Sequence, residues 1–494
     1  MTWINDLPIL TILLVLPLLF AVAILCLPAG SKNAPRWLAL AGGGILFLLS
    51  TVVFFAFDKS TPGYQFIDTF NWLPALGISY RVGVDGISAP MVFLTGIVLL
   101  SGIVVSWKIE DRPREFFSYI LFLGVSVAGV FSSLDVFQLF FFLEIAVFPK
   151  YLMIVMWGWP QKKEYGGMKL TLYLFLGSML ALAGILAVVS KAGINSFDIT
   201  QLLDVKLDVG VQKLWFPFVF IGFAILGGLF PFYNWAPDGH VAAPTAVSML
   251  LAGVEMKVGV FAALRLGIML MPEGARFWAP LIIVLATINI VYGAFLALVQ
   301  KDFKYIIGFS SVSHMGFVLL GFAALNADGL LGAGMQMFSH GVMTALFFAI
   351  VGMVYDRTHT RDLEQLGGLS RKMPVAALGF IVAGLVSMGM PGFSGFVSEF
   401  PIFMGTWQAA PVAAIVAVIG VVITAAYILR TIGKVFFGTF PADKLGEVSD
   451  IPWRDKVTVI CLSVILIAMG VFPSLIAPVI EQGTSSVLVL LGGM

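Results

Sequence analysis

The sequence predicts an all-α polytopic membrane protein: about 14 transmembrane helices in one integrated body, with no soluble domain. Three observations point there. First, 60% of the 494 residues are hydrophobic and 11% are charged, with a mean hydropathy of +1.02; a soluble chain is about 25% charged. Second, apolar runs of about 20 residues, the length a bilayer-spanning helix needs, recur along nearly the whole chain. Third, ionisable residues stand inside those runs: Lys150, Lys169, Lys257, Arg265 and Arg430, the carboxylates Glu144, Glu255 and Glu399, and His314 and His340. Charge at membrane depth is costly, so such residues are rare and usually functional.

The spans fall at about 8–28, 36–56, 88–107, 115–131, 135–158, 166–190, 213–235, 243–267, 278–300, 304–325, 330–355, 374–405, 411–436 and 456–476. The first run has neither a basic leader nor a small-residue cleavage site, so it is predicted to be helix 1 and not a signal peptide. Residues 58–86 form the longest early extramembrane stretch, and 195–208 read as an amphipathic surface helix. Alternate loops hold 17 and 6 of the Lys and Arg residues, and the five intramembrane cations account for the rest of the 28. The positive-inside rule makes the richer set, including Lys108, Lys304 and Arg361, cytoplasmic and places both termini outside.

The intramembrane polar residues recur at a nearly constant offset. Glu144 to His314 is 170 residues, Lys169 to His340 is 171, and Lys257 to Arg430 is 173. Each half also has one span interrupted by glycine and proline, at Gly227-Gly228-Leu229-Phe230-Pro231 and at Gly389-Met390-Pro391-Gly392. Five helices separate equivalent positions, and an odd number inverts the second copy. Paired inverted repeats with broken helices place an ion site near the breaks. Gly and Pro are also common in membrane helices generally, but here the breaks and the polar offsets agree. The predicted organisation is 1–114 (helices 1–3 and the outer loop), 115–267 (first repeat), 268–436 (second repeat) and 437–494 (C-terminal loop and helix 14).

Several functions are disfavoured. A net charge of +1 implies no surface for nucleic acid. Cys26 and Cys461, isolated in apolar runs, cannot supply an iron–sulfur cluster or a zinc site. No dinucleotide fingerprint and no Walker A loop is present, so neither a dinucleotide nor ATP should bind.

Five stretches carry a resemblance: Gly83-Val84-Asp85-Gly86-Ile87-Ser88, Pro237-Asp238-Gly239-His240-Val241-Ala242-Ala243-Pro244-Thr245-Ala246, Ser310-Ser311-Val312-Ser313-His314-Met315-Gly316, Thr358-His359-Thr360-Arg361-Asp362 and Met390-Pro391-Gly392-Phe393-Ser394-Gly395-Phe396. Over about residues 80–440 the chain resembles the antiporter-like, proton-translocating subunits of respiratory complex I, the bacterial NADH–quinone oxidoreductase, and among them the M type. The L type carries a long lateral helix after its core; this chain ends soon after helix 14, which disfavours that assignment.

The resemblance implies fourteen helices and a midplane chain of charged residues in the bacterial inner membrane. It implies no cofactor in this chain, with flavin, iron–sulfur clusters and quinone in partner subunits. The L-type and N-type antiporter-like subunits would be its membrane-arm neighbours. Glu144 matches the family's helix 5 glutamate, which pairs with a helix 7 lysine. Lys257 matches the central helix 8 lysine, His314 and His340 continue the path, and Glu399 matches the helix 12 acid of this type. One departure stands out: the helix 7 lysine position falls on Leu226. Lys169 on the next helix is the favoured substitute partner for Glu144, Lys150 a second candidate, and no direct cationic partner a third.

The residue types suit proton transfer, and each has a plainer reading. A buried lysine changes charge readily when a carboxylate moves near it, so Lys257 can act as a relay; a snorkelling lysine is the alternative. Imidazoles pass protons near neutral pH, although a lone buried histidine more often only packs. Glu399, two turns past the second break, suits exchange with the outside. Glu255 is about 200° around the helix from Lys257 and should not touch it. Asp135 reads as an N-cap, Arg265 as a snorkelling cation and Arg430 as a fixed charge or tether. Asp238 and His240 read as loop capping groups. The predicted function is proton pumping coupled to electron transfer in other subunits. The rivals are a multisubunit sodium/proton antiporter, a proton-coupled hydrogenase subunit and a spacer silenced at Leu226.

Overall fold

An apolar run surrounded by lipid must close its own backbone hydrogen bonds, and a helix does this within one segment. The computed structural model, which describes residues 7–492, follows that rule. It opens with α1 (Ile9–Leu25) and α2 (Ala34–Ala56). The stretch 58–86 then holds a β-hairpin, β1 (Gln65–Leu73) antiparallel to β2 (Ile78–Val84), in place of an irregular loop. Gly77 makes the bend at φ +70, and a Cβ there would lie 2.4 Å from the Asn195 carbonyl oxygen. α3 (Ser88–Val105) follows.

Two runs of the same element order come next. The first is α4 (Pro113–Ser132), α5 (Val136–Ile145) continued by α6 (Val147–Trp157), α7 (Lys163–Ala192), the short α8 (Ile199–Leu203), α9 (Val209–Leu226) with α10 (Trp235–Ala242), and α11 (Thr245–Leu250) with α12 (Met256–Ala262). The second is α13 (Pro272–Val299), α14 (Phe303–Ala323), α15 (Ala327–Thr358), α16 (Pro374–Ser387) with α17 (Ser394–Ala409), and α18 (Pro411–Phe436). The chain closes with α19 (Ala442–Leu445), α20 (Trp453–Val471) and α21 (Ala477–Leu490). In each run the fourth member is the broken one. Glu144 and His314 lie on the second member of their runs, Lys169 and His340 on the third, and Lys257 and Arg430 on the fifth.

Among the described residues eleven helices are long and apolar enough to cross a membrane, against the fourteen spans expected. The other three stretches are α1, of 17 residues; the broken pair α16–α17, of 14 and 16 residues; and α20, whose first turn holds Arg454, Asp455 and Lys456. Three local expectations need correction. The predicted surface helix over 195–208 shrinks to the five residues of α8, which Asp198 caps by accepting from Thr200 N. Within 58–86, residues 65–73 and 78–84 pair as strands, and Phe66, Ile78 and Val82 are their buried side chains. α21 was not foreseen; its Gln482 accepts from Gly86 N at 2.9 Å and so ties the C-terminal segment to the hairpin's exit. Residues 1–6 and 493–494, on which the expected outer placement of the termini falls, lie outside the described residues.

Burial sorts the helices. The membrane-length windows of α11–α12 and α15 are 100% buried and that of α14 is 94% buried, against 39% for α2 and α18. These central helices carry Lys257, His340 and His314, so the polar chain lies where protein surrounds it. The breaks are glycine-built. Gly228 at φ +81, and Gly389 and Gly392 at φ +63 and +89, take backbone that a side chain would strain. Trp235 Nε1 donates to Ile225 O at 2.8 Å and satisfies one carbonyl freed at the first break. Cations of the two loop sets also separate. Lys108, Lys304 and Arg361 line one cavity of about 460 Å³, whereas Lys213 and Arg276 sit near the α9–α13 ends, where Trp278 Nε1 donates to Lys213 O.

Candidate functional site: a buried polar chain between two broken helices

Lys257 is fully buried on α12, between two π-helical segments, Leu251–Glu255 and Ala263–Ile268. Such wide turns inside a helix recur at functional sites. Its Nζ donates to Ala252 O at 2.5 Å and lies 2.7 Å from His340 Nδ1 on α15. Snorkelling is thereby excluded, because the amine points into the bundle.

The His340 ring stacks on that of His314 from α14, with centroids 5.3 Å apart and planes 13° from parallel. His314 Nδ1 is 2.9 Å from Ser310 O, one turn back. A carbonyl can only accept, so both nitrogens have a carbonyl to donate to, but only Nε2 also faces a hydroxyl that can donate to it when it is deprotonated; Nδ1 therefore keeps its hydrogen and Nε2 is the exchangeable atom. Nε2 faces Ser387 Oγ at 3.3 Å, Ser387 O at 3.2 Å and Glu399 Oε1 at 3.7 Å. Glu399, buried on α17, accepts from Gln336 Nε2 at 3.1 Å, and Gln336 Oε1 accepts from Ser398 Oγ at 2.5 Å. Gly389 is what lets the second break lie against this carboxylate, since a Cβ there would be 3.0 Å from Glu399 Oε2. Four of the six predicted site residues therefore form one buried run: Lys257, His340, His314 and Glu399.

The other two are placed apart from it. Lys169 does not meet Glu144. It donates to Asp238 Oδ2 on α10 at 2.7 Å, and Tyr305 OH donates to Asp238 Oδ1 at 2.8 Å. The favoured pairing for Glu144 fails because Lys169, six residues into α7, lies near that helix's N-terminal end, where α10 offers the nearer acid. The second candidate fails as well, because Lys150 donates to Glu255 Oε2 at 2.6 Å, with side chains 1% and 6% exposed. Glu144 borders an apolar groove of about 980 Å³ between α4, α5–α6 and α7, and its Oε1 is buried with no hydrogen-bond partner. That is the third alternative, no direct cationic partner.

Several secondary residues differ from the sequence reading. Arg265 is 3% exposed and pairs with Asp85 at the hairpin exit, with its guanidinium over the rings of Tyr64 and Phe261. Asp85 also accepts from Ile87 N at 3.1 Å and Ser88 N at 2.9 Å. Burial alone would raise this carboxyl, but Arg265 outweighs it and holds Asp85 below its usual range. Arg430 is a tether, donating to Leu298 O and Gln300 O at the end of α13. Asp135 is an N-cap, accepting from Gln138 N at 3.1 Å. His240 is no loop cap: it lies on α10, fully buried, with neither ring nitrogen bonded to protein. No pattern in the sequence marked it beyond its place in the Pro237–Ala246 stretch.

Residues 133–424 match the sequence model of the family described as NADH:quinone oxidoreductase/Mrp antiporter, TM. The chain belongs to this family. It is 37% identical over 466 residues to subunit M of the NADH-quinone oxidoreductase of Rhodobacter capsulatus, covering 92% of this chain and 90% of that protein. It is 36% identical over 490 residues to the NAD(P)H-quinone oxidoreductase chain 4 1 of Synechococcus elongatus, covering 98% and 92%. A chain in the structure of respiratory complex I from Thermus thermophilus with bound NADH superposes with a TM-score of 0.90 at 30% identity, covering 98% of this chain and 100% of that one. The protein is thus a multi-pass subunit of a membrane complex of the NADH:quinone oxidoreductase/Mrp kind. Within this antiporter-type fold the position of Leu226 has a geometric meaning. The rings of Phe140 on α5 and Phe223 on α9 meet at 5.5 Å, and Glu144 and Leu226 lie four and three residues further along their helices.

Proposed function

We propose that this chain is the M-type proton-translocating membrane subunit of a bacterial NADH–quinone oxidoreductase, in the cytoplasmic (inner) membrane with both termini on the outer side. The observation that carries the reading is the buried run Lys257–His340–His314–Glu399, spaced by 2.7 Å, a 5.3 Å ring stack and 3.7 Å. A structural core needs no such series of four proton-exchanging groups, and burying them is costly. Subunit M of Rhodobacter capsulatus NADH-quinone oxidoreductase supports the assignment by likeness over nine-tenths of both chains.

In this reading Lys257 loads a proton and passes it from Nζ to His340 Nδ1. A water between the free His340 Nε2 and His314 Nε2 carries it on. His314 delivers it through Nε2, the atom that its Ser310 contact leaves available, to Glu399. Ser387 and the Gln336–Ser398 pair hold the rotamers of His314 and Glu399. Electron transfer, with its flavin, iron–sulfur clusters and quinone, belongs to partner subunits, and L-type and N-type subunits flank this one in the membrane.

The test is Glu399→Gln in the assembled complex, in inside-out membrane vesicles. Glutamine keeps the size and the hydrogen bonding but cannot carry the proton. NADH–quinone turnover should persist in complexes that translocate fewer protons per electron. An unchanged proton-to-electron ratio would sink the path.

A further inference from the structure

We propose that Lys150 and Glu255 are the positioning ion pair of the proton path, in the role for which the sequence singled out Glu144. The inference rests on Lys257 being the central relay.

Glu144 is poorly placed for that role. It borders the outer apolar groove, one oxygen unpartnered, and the α9 position where the resemblance places its lysine is Leu226. Six residues on, the same span turns inward. It is interrupted at Ala146, and Pro149, which has no N–H, prevents the normal hydrogen bond there. Lys150 therefore enters the bundle while Glu144 stays at its edge. Its ammonium meets Glu255 Oε2 at 2.6 Å, and the other oxygen, Oε1, is buried with no partner. Glu255 closes the π segment and is two residues from Lys257. Half of the carboxylate is thus free to take another donor beside the relay. Two apolar side chains would fill this space without the cost of burying two charges, so packing alone does not explain the pair.

The charged and titratable groups facing Lys257 are few. α15 brings His340, α14 His314, α10 His240 and α6 Lys150, and its own span carries Glu255 and, at the far end, Arg265, which pairs with Asp85 at the hairpin exit. α3 has no ionisable residue, and those of α4 and α9, namely Arg114, Glu115, Tyr119 and Lys213, lie in the outer two turns of their helices. With the pair closed, its charges cancel at Lys257. With it open, Glu255 supports the protonated amine.

The experiment compares Lys150→Met and Glu255→Gln in assembled complexes, measuring protons translocated per electron across pH in inside-out vesicles. Removing the cation should move the alkaline limb of the profile up, and removing the anion should move it down. A unit charge about 10 Å away gives a shift on the order of one pH unit. Opposite shifts support the proposal; shifts of the same sign, or none, overturn it. The charge-free double variant Lys150→Met/Glu255→Leu covers the case in which single variants fail to assemble. Assembled and with the wild-type profile, it overturns the proposal; assembled and with impaired pumping, it supports it. Lys257→Met separates the two readings, because normal pumping in that variant would remove the relay itself whatever the pair variants do.

Discussion

Replacing Lys257 by methionine separates what the lysine contributes to stability from what it contributes to transport. Methionine has nearly the same length and adapts to irregular space. The substitution removes two short contacts, to Ala252 O at 2.5 Å and to His340 Nδ1 at 2.7 Å. Their net worth is about 1–3 kcal/mol each, and leaving His340 Nδ1 unpaired costs a further ~1–3 kcal/mol. Against this, the folded protein no longer desolvates an ammonium, which relieves several kcal/mol. The two sides nearly cancel, so the variant should assemble with stability within about 2 kcal/mol of the parent. Transport has no such compensation. A thioether carries no proton, and forcing a charge past it costs at least ~4 kcal/mol, which slows transfer about a thousandfold. Blue-native gels report assembly, and dye-detected acidification against NADH oxidation in inverted vesicles reports coupling. Assembled complex with an unchanged proton-to-electron ratio would refute the path. Loss of assembly would refute the energetic argument.

Other perturbations follow from the same contacts. Asp85→Asn leaves Arg265 buried without its counter-charge, a loss of about 3–5 kcal/mol; thermal unfolding of the purified complex should begin at lower temperature, and an unchanged transition would mean water reaches Arg265. Because Arg265 holds Asp85 below its usual range, the stability that Asp85 contributes is full above about pH 4 and is lost as pH falls through the folded value; acid-unfolding curves of the parent and Asp85→Asn should converge there. Leu226→Lys places an ammonium one turn beyond the Phe140–Phe223 contact on α9, as Glu144 is on α5, and so tests whether the two positions meet. It should be tolerated in the parent and cost about 3–5 kcal/mol more in a Glu144→Gln background, and equal effects in both backgrounds would show that the two positions do not meet.

Much of the fold was legible because lipid leaves a chain few choices. Apolar length fixed the helices, glycine and proline fixed both breaks, and the offsets of about 170 residues fixed which positions correspond. The hairpin escaped because its residues fall between spans, where apolar length carries no signal. α21 escaped because its buried stripe, Val479, Ile480, Gly483 and Val487, covers only one face of a short helix.

The site was legible along helices and illegible across them. Lys257, His340, His314 and Glu399 each declared themselves as ionisable groups in apolar runs, and the structure joins them. The pairings were another matter, because a sequence gives the face of a residue only while the helix stays regular. Glu255 and Lys257 are separated by the end of a π segment, and Glu144 and Lys150 by the interruption at Ala146. Each irregularity rotates the second residue away from its ideal bearing, and neither has a composition signal as plain as a glycine pair. The partners Lys150–Glu255 and Lys169–Asp238 follow from those rotations and from depth. Depth separates the two acids as well: Glu144 borders the groove at the bundle edge with one oxygen unpartnered, whereas Glu255, enclosed by protein, is charged at a cost that only a close cation offsets, and Lys150 is that cation.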